Sequence, residues 1–313
     1  MVLNYCRCVG LVKQSERLRG IEIHDLEQRL HFKVYAKAII NATGVYVDAL
    51  RKMDEPQSKP ILAASQGVHL VLPKRFLPGQ AAMMIPKTAD GRVLFAVPWH
   101  DHVVLGTTDT PVDATALEPR ALHSERDFLM THAAQYLNHA PSSADVLSIF
   151  AGLRPLIQSG DSSNTAALSR DHSIRVSRSG FITLTGGKWT TYRKMAEDVI
   201  DEAERLMGSS HLKCTTARQA LYGQTTAPVN QTNLKVYGAD AAAILAIIQA
   251  NPRLGETIHP ALPYQKAEVV WHARAEMART VEDVLARRTR ALLLNAAASI
   301  EAADRAWLEA NRA

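Results

Sequence analysis

The first forty residues alternate between apolar and polar positions in the manner of β-strands. Ile21 and Ile23 alternate with Glu22 and His24, and turn-forming residues separate one apolar run from the next. The pattern predicts a β-meander that opens with the chain itself, as if the sequence began in the middle of a domain. The predicted strands are Val2–Tyr5, Cys8–Lys13, Leu18–His24 and His31–Val34.

A second pattern, in which a short apolar strand is followed by a glycine turn and a helix, occurs twice. In open α/β sheets, ligands bind at the carboxyl ends of strands, where glycine lets backbone amides approach and a helix N-terminus carries partial positive charge. Each copy taken alone also fits an ordinary turn. The two copies are Ala38–Ile40, Thr43-Gly44 and Val45–Met53, and Phe181–Thr185, Gly186-Gly187 and Thr190–Met207.

The remaining pattern divides the chain further. Asp54–Pro60 is a charged stretch with two prolines, which predicts a domain boundary. Strand patterns follow, and almost everything from Asn233 onward has helical periodicity. The strands are Gly67–Leu72, Ala82–Ile85, Val93–Val97 and Val103–Thr108, the last two forming a hairpin, and after a helix at Ser124–Leu137 come Val146–Leu153 and Ile174–Val176.

The predicted fold class is therefore α/β (α+β). Residues 1–55 and 146–208, which contain the two strand, glycine turn and helix units, are expected to form one split α/β domain. Residues 56–145 are expected to form an antiparallel β domain, and residues 209–313 an all-α C-terminal domain. A chain of 313 residues with 47% hydrophobic content is long enough for about two or more buried cores.

Composition excludes some classes of protein. The longest apolar stretches, such as Ala241–Ile248, fall well short of the roughly 18 residues that a bilayer span needs. The first residues do not form a secretion signal, so we expect a cytoplasmic protein whose membrane contact is peripheral. The cysteines are Cys6, Cys8 and Cys214, too few for a zinc site, and no metal is expected.

The net charge of +5 suits an anionic substrate, an anionic membrane surface or nucleic acid about equally. The densest basic cluster, Arg287-Arg288-Thr289-Arg290, lies on a helical pattern. We expect it to pair with Glu282 and Asp283, or with a neighbouring domain, and we expect no nucleic-acid partner. A homodimer is compatible with the sequence.

The second glycine turn is followed by one cation and two hydroxyls at a helix start, an arrangement that suits an anion such as a reduced flavin. At this point the sequence resembles the FAD-dependent, quinone-linked glycerol-3-phosphate dehydrogenases. Leu184–Ala196 resembles their C-terminal flavin-binding motif. Further stretches fit the same family in family order: Asn41–Gly44, Ser65–Leu70, Gly106–Thr110, Gly152–Pro155, Ser169–His172, Leu262–Tyr264, Ala267–Val270 and Glu276–Arg290.

The resemblance implies oxidation of sn-glycerol 3-phosphate to dihydroxyacetone phosphate, with hydride transfer to N5 of FAD and electrons passing to membrane quinone. It implies that residues 1–55 and 146–208 are what remains of a split FAD-binding, Rossmann-like domain and that residues 56–145 are the antiparallel β substrate-binding domain. It implies that His69, Arg154 and Arg170 are catalytic and, with Lys188, bind substrate. Arginine suits a phosphate and does not readily lose its proton, so His69 is the better base. Lys188 could contact the flavin, the substrate or both. The implied cofactor-binding residues are Thr43, Gly44, Gly186, Gly187, Lys188, Trp189, Thr190 and Thr191.

The family's G-x-G-x-x-G turn near the N-terminus, with its downstream acidic residue, does not occur in this sequence. We therefore expect the chain to hold the isoalloxazine and substrate side of the site without the pyrophosphate cradle, and to purify colourless by itself. Two alternatives stay open: an oxidase that reduces oxygen, and an inactive fragment or binding module of the same fold. For the whole enzyme, the resemblance implies the cytoplasmic face of the inner membrane.

Overall fold

The computed structural model describes residues 1–86, 88, 91–158, 171–210, 212–229 and 232–311. The strands are β1 (Cys6–Gln14), β2 (Arg17–Asp25), β3 (His31–Tyr35), β4 (Ile39–Asn41), β5 (Leu62–Pro73), β6 (Met83–Ile85), β7 (Leu94–Trp99), β8 (His102–Gly106), β9 (Thr110–Val112), β10 (Ser148–Ile157), β11 (His172–Val176) and β12 (Phe181–Gly186). The α-helices are α1 (Val47–Asp54), α2 (His123–Ala133), α3 (Tyr192–Met207), α4 (Ala241–Ala250), α5 (Lys266–Ala275), α6 (Ala291–Leu294) and α7 (Ala296–Asn311). Short 3-10 turns lie at Gly44–Tyr46, Lys74–Phe76, Ser143–Asp145, Trp189–Thr191, Thr232–Asp240 and Pro252–Gly255, and a π-helical turn at Asp283–Arg288.

The chain folds into two compact units. The first contains Met1–Gly67, Asp109–Pro119 and Gly152–Gln219, and the second contains Val68–Thr108, Arg120–Ala151 and Ala220–Ala313. Antiparallel sheets and helices occur together, so the predicted α/β (α+β) class is confirmed. The division into three domains stays a prediction.

The first unit is organised around two three-stranded sheets. One is the antiparallel meander β1-β2-β3 that the alternation predicted. The other has the order β11-β12-β4, in which β12 runs parallel to β4 and antiparallel to β11. Helix α3 covers this second sheet, because Val199 and Ala203 pack against Ile182 and Leu184. Burial of that apolar stripe holds the helix on the sheet.

The second unit contains an antiparallel sheet and a group of helices. The part of β5 from His69 onward pairs with β8, β8 with β7, and β7 with β6. Leu70, Leu105 and Leu94 line the core of this sheet, and Leu129 of α2 packs against it. A separate core among the helices contains Ile258, Leu262, Val269, Val284 and Leu285.

The predicted strand at Val2–Tyr5 is wrong. The first strand begins at Cys6, which is paired with Asp25, and the chain before it bends at Asn4 and Tyr5. Strand β2 ends at Asp25, so no ladder partner continues beyond this pair, and the Leu26 amide instead donates to the Tyr5 carbonyl. The apolar residues before Cys6 have no neighbouring strand to pair with, and therefore do not form a strand.

Between residues 1 and 311, the helices that the structure describes include none with the length and apolar character that a membrane crossing requires.

Candidate active site

The turn after β4 is shaped by Asn41, which is almost fully buried. Its Nδ2 donates to the Val47 carbonyl at 3.0 Å, and its Oδ1 accepts from the Thr43 amide at 3.3 Å and from Thr43 Oγ1 at 2.7 Å. These bonds hold the turn against the start of α1. A Cβ atom built on Gly44 would meet no atom within 4 Å, so open space lies in front of the turn.

The turn after β12 requires glycine. Gly186 and Gly187 have φ of 78° and 77°, in the left-handed region that other residues rarely adopt. A side chain at Gly186 would overlap the Asp171 carbonyl oxygen, to which the Gly187 amide donates. The chain then enters the 3-10 turn that leads into α3, where the Lys188 amide donates to Thr191 Oγ1 at 3.2 Å.

The structure brings these two turns together. Phe181 pairs with Ile39 and Thr183 with Asn41 in parallel register, so β4 and β12 end at the same edge of their sheet. Each is followed by a helix whose first amides have no partner within the helix and carry partial positive charge. All eight predicted cofactor-binding residues therefore lie at one sheet edge in the first unit, Thr43 and Gly44 on one turn and Gly186 to Thr191 on the other. The arrangement and the open space at Gly44 fit one end of a flavin.

Trp189 is a prominent feature of this edge. Its side chain is 85% exposed, and its ring stacks on Tyr192 with 5.4 Å between the ring centroids. A large exposed aromatic pair beside a glycine turn is suited to contact a planar ligand.

Arg154 lies in a polar cluster within the first unit. Its Nη1 is 3.4 Å from Asp109 Oδ1, and the same carboxylate oxygen accepts from the hydroxyl of Ser65. The guanidinium lies so close to the backbone of Gly67 that a Cβ atom there would overlap it. The Arg154 side chain is 31% exposed, so a cation held in a defined orientation stays accessible to a small anion.

His69 belongs to the second unit. Val68 and Leu70 on either side of it are fully buried, while His69 itself is half-buried, in agreement with the predicted alternation along this strand. The imidazole stacks on Phe150 with 5.1 Å between centroids, and lies over Gly106, where any side chain would overlap it. The ring plane is therefore fixed by packing on two sides.

The other two predicted substrate-binding residues are Lys188 and Arg170. Lys188 is exposed at the start of the 3-10 turn before α3, at the same sheet edge as the glycines. Arg170 lies outside the described residues. Its sequence neighbours Asp171 and His172 are described, and His172 Nε2 is 2.9 Å from Asp198 Oδ2 on α3.

Sequence reasoning did not assign roles to Asn41, Ser65 and Asp109. All three lie in stretches that carried the family resemblance, next to residues that were assigned, and this was the only signal in the sequence that could have found them. The separation of Asp109 from Arg154 by 45 residues shows why spacing could not pair them.

Comparison with known proteins bears on this site. The profile of the family described as FAD dependent oxidoreductase matches residues 1–193, and that of the C-terminal domain of alpha-glycerophosphate oxidase matches residues 177–310. The mitochondrial glycerol-3-phosphate dehydrogenase of Arabidopsis thaliana is 34% identical over 97% of this chain and 53% of its own length. That of Rattus norvegicus is 35% identical over 96% of this chain and 45% of its own.

A solved structure is similar over almost the whole chain. The glycerol-3-phosphate dehydrogenase from Bacillus halodurans, complexed with FAD, superposes with a TM-score of 0.80 at 27% identity, over 99% of this chain and 69% of that one. The chain spans about half the length of the curated relatives it matches. The predicted resemblance and the predicted FAD cofactor are confirmed at the level of the family. The chain belongs to the family of FAD-dependent oxidoreductases, and the similar proteins described above are glycerol-3-phosphate dehydrogenases.

Proposed function

We propose that this chain forms the isoalloxazine and substrate side of an enzyme that oxidises sn-glycerol 3-phosphate to dihydroxyacetone phosphate. The observation that carries the proposal is the pair of turns at the shared end of β4 and β12, with an accessible, oriented arginine in the same compact unit. The substrate is inferred from its relatives, which are named glycerol-3-phosphate dehydrogenases.

The flavin would be held by the two turns. Backbone amides at Thr43-Gly44 and from Gly186 to Thr191 would donate to one end of the ring, and the stacked pair of Trp189 and Tyr192 would contact its edge. Bound FAD supplies the acceptor for the hydride that leaves C2 of the substrate. The helix N-termini favour the negative charge that accompanies flavin reduction.

The substrate would be bound through its phosphate. The Arg154 guanidinium, which Asp109 orients and which is 31% exposed, would bind the phosphate oxygens, because its planar set of N–H donors matches their geometry. Arg170 and Lys188 would add positive charge. His69, two residues beyond Gly67 on β5, would accept the proton of the C2 hydroxyl through a ring nitrogen, since an imidazole is the residue type best suited to that task near neutral pH.

The electron acceptor of the whole enzyme is proposed to be membrane quinone. The whole enzyme would then be a peripheral protein on the cytoplasmic face of the inner membrane. An oxidase that reduces oxygen is the alternative, and anaerobic reduction followed by mixing with air or with a soluble quinone separates the two by their reoxidation rates. A homodimer is compatible with this proposal.

The proposal is tested by His69→Asn in the flavin-loaded enzyme that contains this chain. Anaerobic stopped-flow absorbance near 450 nm should show flavin reduction by sn-glycerol 3-phosphate slowed by about a hundredfold or more, the usual contribution of a positioned base. His139→Asn, an exposed histidine of the same unit, is the matched control and should leave the rate unchanged. A wild-type reduction rate in His69→Asn would remove His69 from the mechanism.

A further inference from the structure

A cavity of about 370 Å³ lies in the second unit, among residues that the proposed function does not use. Its walls come from the 3-10 turn Thr232–Asp240, the loop before α5, the end of α5, the end of the π-helical turn and the turn between β7 and β8. The volume corresponds to about a dozen water molecules, which is enough for a small organic ligand.

Tyr237, His272 and Glu276, which line the cavity, belong to a hydrogen-bonded network that contains two carboxylates. The Tyr237 hydroxyl donates to Glu268 Oε2 at 2.6 Å and lies 3.1 Å from His272 Nε2. His272 Nδ1 is in turn 2.7 Å from Glu276 Oε2, and Trp271 Nε1 donates to the other oxygen of Glu276. Glu268 is buried, which raises its pKa, and hydrogen bonding from His272 lowers the pKa of Glu276. Both carboxylates therefore already have hydrogen-bond partners within the protein.

Two arginines, Arg288 and Arg290, also line the cavity. Arg288 donates through Nε and Nη2 to the Glu276 carbonyl at 2.9 and 2.6 Å, which fixes the plane of its guanidinium and leaves Nη1 available. Arg290 follows at φ 60°, and within the part of the chain that the structure describes its guanidinium forms no hydrogen bond or ion pair. Arg287 differs, because it pairs with Glu282 and Asp283 as the sequence predicted.

Two further groups of the cavity are within the electrostatic reach of Arg290. Burial, followed by the charge of Arg290, lowers the pKa of His100 in the turn between β7 and β8. Burial raises the pKa of Tyr264 to about 12, a shift that Arg290 partly offsets. The Tyr264 phenol therefore keeps its proton near neutral pH and is available as a donor, because no described residue hydrogen bonds with it.

We infer that this cavity binds the phosphate group of a small anionic molecule, with Arg290 and Arg288 as the cationic donors and the Tyr264 hydroxyl as a neutral one. Guanidinium groups match the geometry of phosphate oxygens and bind them through paired N–H donors. The residues that line the cavity include neither Arg154 nor any residue of the flavin turns, and the inference does not rest on the proposed enzymatic activity.

The experiment removes the proposed substrate site first. Arg154→Gln is introduced into the full chain, and inorganic phosphate is titrated by isothermal calorimetry into this background alone and with a second substitution. Arg290→Gln should weaken phosphate binding by about tenfold or more, because it removes a charge-assisted contact. Tyr264→Phe should weaken it by roughly threefold, the effect of a neutral hydrogen bond.

Arg287→Gln is the matched control. It removes the same charge three positions away, from a residue that is bonded to its own carboxylates, and phosphate binding should stay within about twofold of the background. Equal losses in Arg287→Gln and Arg290→Gln would overturn the inference, because general electrostatic attraction would then account for binding. A folded Arg154→Gln chain that binds neither soluble nor lipid phosphate would also overturn it.

The source of the phosphate is distinguished by a second arm. The same variants are sedimented with vesicles of phosphatidylcholine alone and of phosphatidylcholine with phosphatidic acid. Calorimetric binding of inorganic phosphate that depends on Arg290 assigns the cavity to a soluble phosphorylated compound. Sedimentation with phosphatidic acid that depends on Arg290 but not on Arg287, without soluble binding, assigns it to a lipid headgroup. Both outcomes support a phosphate site.

Discussion

At the scale of single residues, Arg154 is oriented by the carboxylate of Asp109, which in turn accepts a hydrogen bond from the Ser65 hydroxyl. Ser65 bonds Asp109, Asp109 bonds Arg154, and Gly67 leaves room for the guanidinium to lie against the backbone. An exposed arginine loses considerable side-chain entropy when it orders on a ligand. The hydrogen bonds from Ser65 to Asp109 and from Arg154 to Asp109 restrict the guanidinium before a ligand binds, so the Arg154 side chain loses less entropy on binding.

Arg154→Gln is therefore expected to raise KM for sn-glycerol 3-phosphate by roughly tenfold to a hundredfold, the equivalent of about 1.5–3 kcal/mol for a charge-assisted hydrogen bond. Oxidation of glycerol, which has no phosphate, should be nearly indifferent to the change. Steady-state kinetics with both substrates makes the measurement, with Arg205→Gln on the exposed face of α3 as the control. Equal penalties for the two substrates would contradict the phosphate-binding role.

Asp54 is a residue whose surroundings differ from what its sequence position suggested. It was included in a charged linker, yet it ends α1 with a side chain only 1% exposed. Lys13 Nζ lies 2.8 Å from one carboxylate oxygen, and the Ser179 hydroxyl donates to the same oxygen at 2.7 Å. Burial alone would raise the pKa of Asp54, but these hydrogen bonds and the charge of Lys13 bring it below its usual value.

Asp54→Asn should lower the free energy of unfolding by about 2 kcal/mol at neutral pH, since it leaves Lys13 without its buried partner. The folded-state pKa is depressed, so this stabilisation is present above the usual pKa of 3.8 and is lost as the pH falls through the lower folded value. Urea unfolding curves of wild type and variant should converge toward low pH. Glu202→Gln, in the exposed pair with Arg205, serves as the control and should change stability little. A difference in unfolding free energy between wild type and Asp54→Asn that does not change with pH would contradict a stabilising role of the ionised Asp54 carboxylate.

At the scale of elements, the sequence predicted both strand-turn-helix units and the strands that flank them. It succeeded there because glycine, apolar runs and helical periodicity are local signals. The hairpin of β7 and β8 was also predicted, but not its turn type. His100 and Asp101 both have positive φ, as in a type I′ turn, although neither is glycine. Histidine and aspartate adopt this conformation at modest cost, so the composition alone did not reveal it.

The glycine turn after β12 gives a prediction for one element. Gly186→Ala should destabilise the chain by about 2–3 kcal/mol and weaken FAD binding, because a left-handed φ is unfavourable for alanine and its Cβ would overlap the rigid Asp171 carbonyl. Gly208→Ala is the matched control. Gly208 also has a left-handed φ, of 65°, but a Cβ there meets no atom within 4 Å.

The control variant should lose only about 1 kcal/mol and bind FAD as the wild type does. Urea unfolding gives the stabilities, and quenching of flavin fluorescence on titration gives the affinities in the enzyme that contains this chain. Equal destabilisation by the two substitutions would show that the contact with Asp171 does not matter.

At the scale of the whole molecule, local patterns could not reveal which distant segments meet. The pairing of β12 with β4 joins residues more than 140 positions apart, and it alone places the two glycine turns at one sheet edge. The partition into compact units was equally hidden, since it passes through the middle of β5 and β10, and a strand that continues from one unit into the other contains no linker to mark the boundary. The family resemblance named the candidate site residues. The long-range pairing of β12 with β4 brings the candidates on the two glycine turns to the same sheet edge.

The net charge of +5 gives a prediction for the molecule as a whole. If the proposed peripheral attachment has an electrostatic component, the chain should sediment with vesicles that contain an anionic lipid at low ionic strength and be released at about 0.3 M salt, where screening acts over only several ångströms. Each basic residue near an anionic surface contributes about 1 kcal/mol, so a modest excess of cations gives weak, salt-sensitive binding. Neutral vesicles are the control and should retain little protein. Sedimentation that does not depend on salt, or that is equal for neutral vesicles, would contradict an electrostatic contribution and point to apolar contact instead.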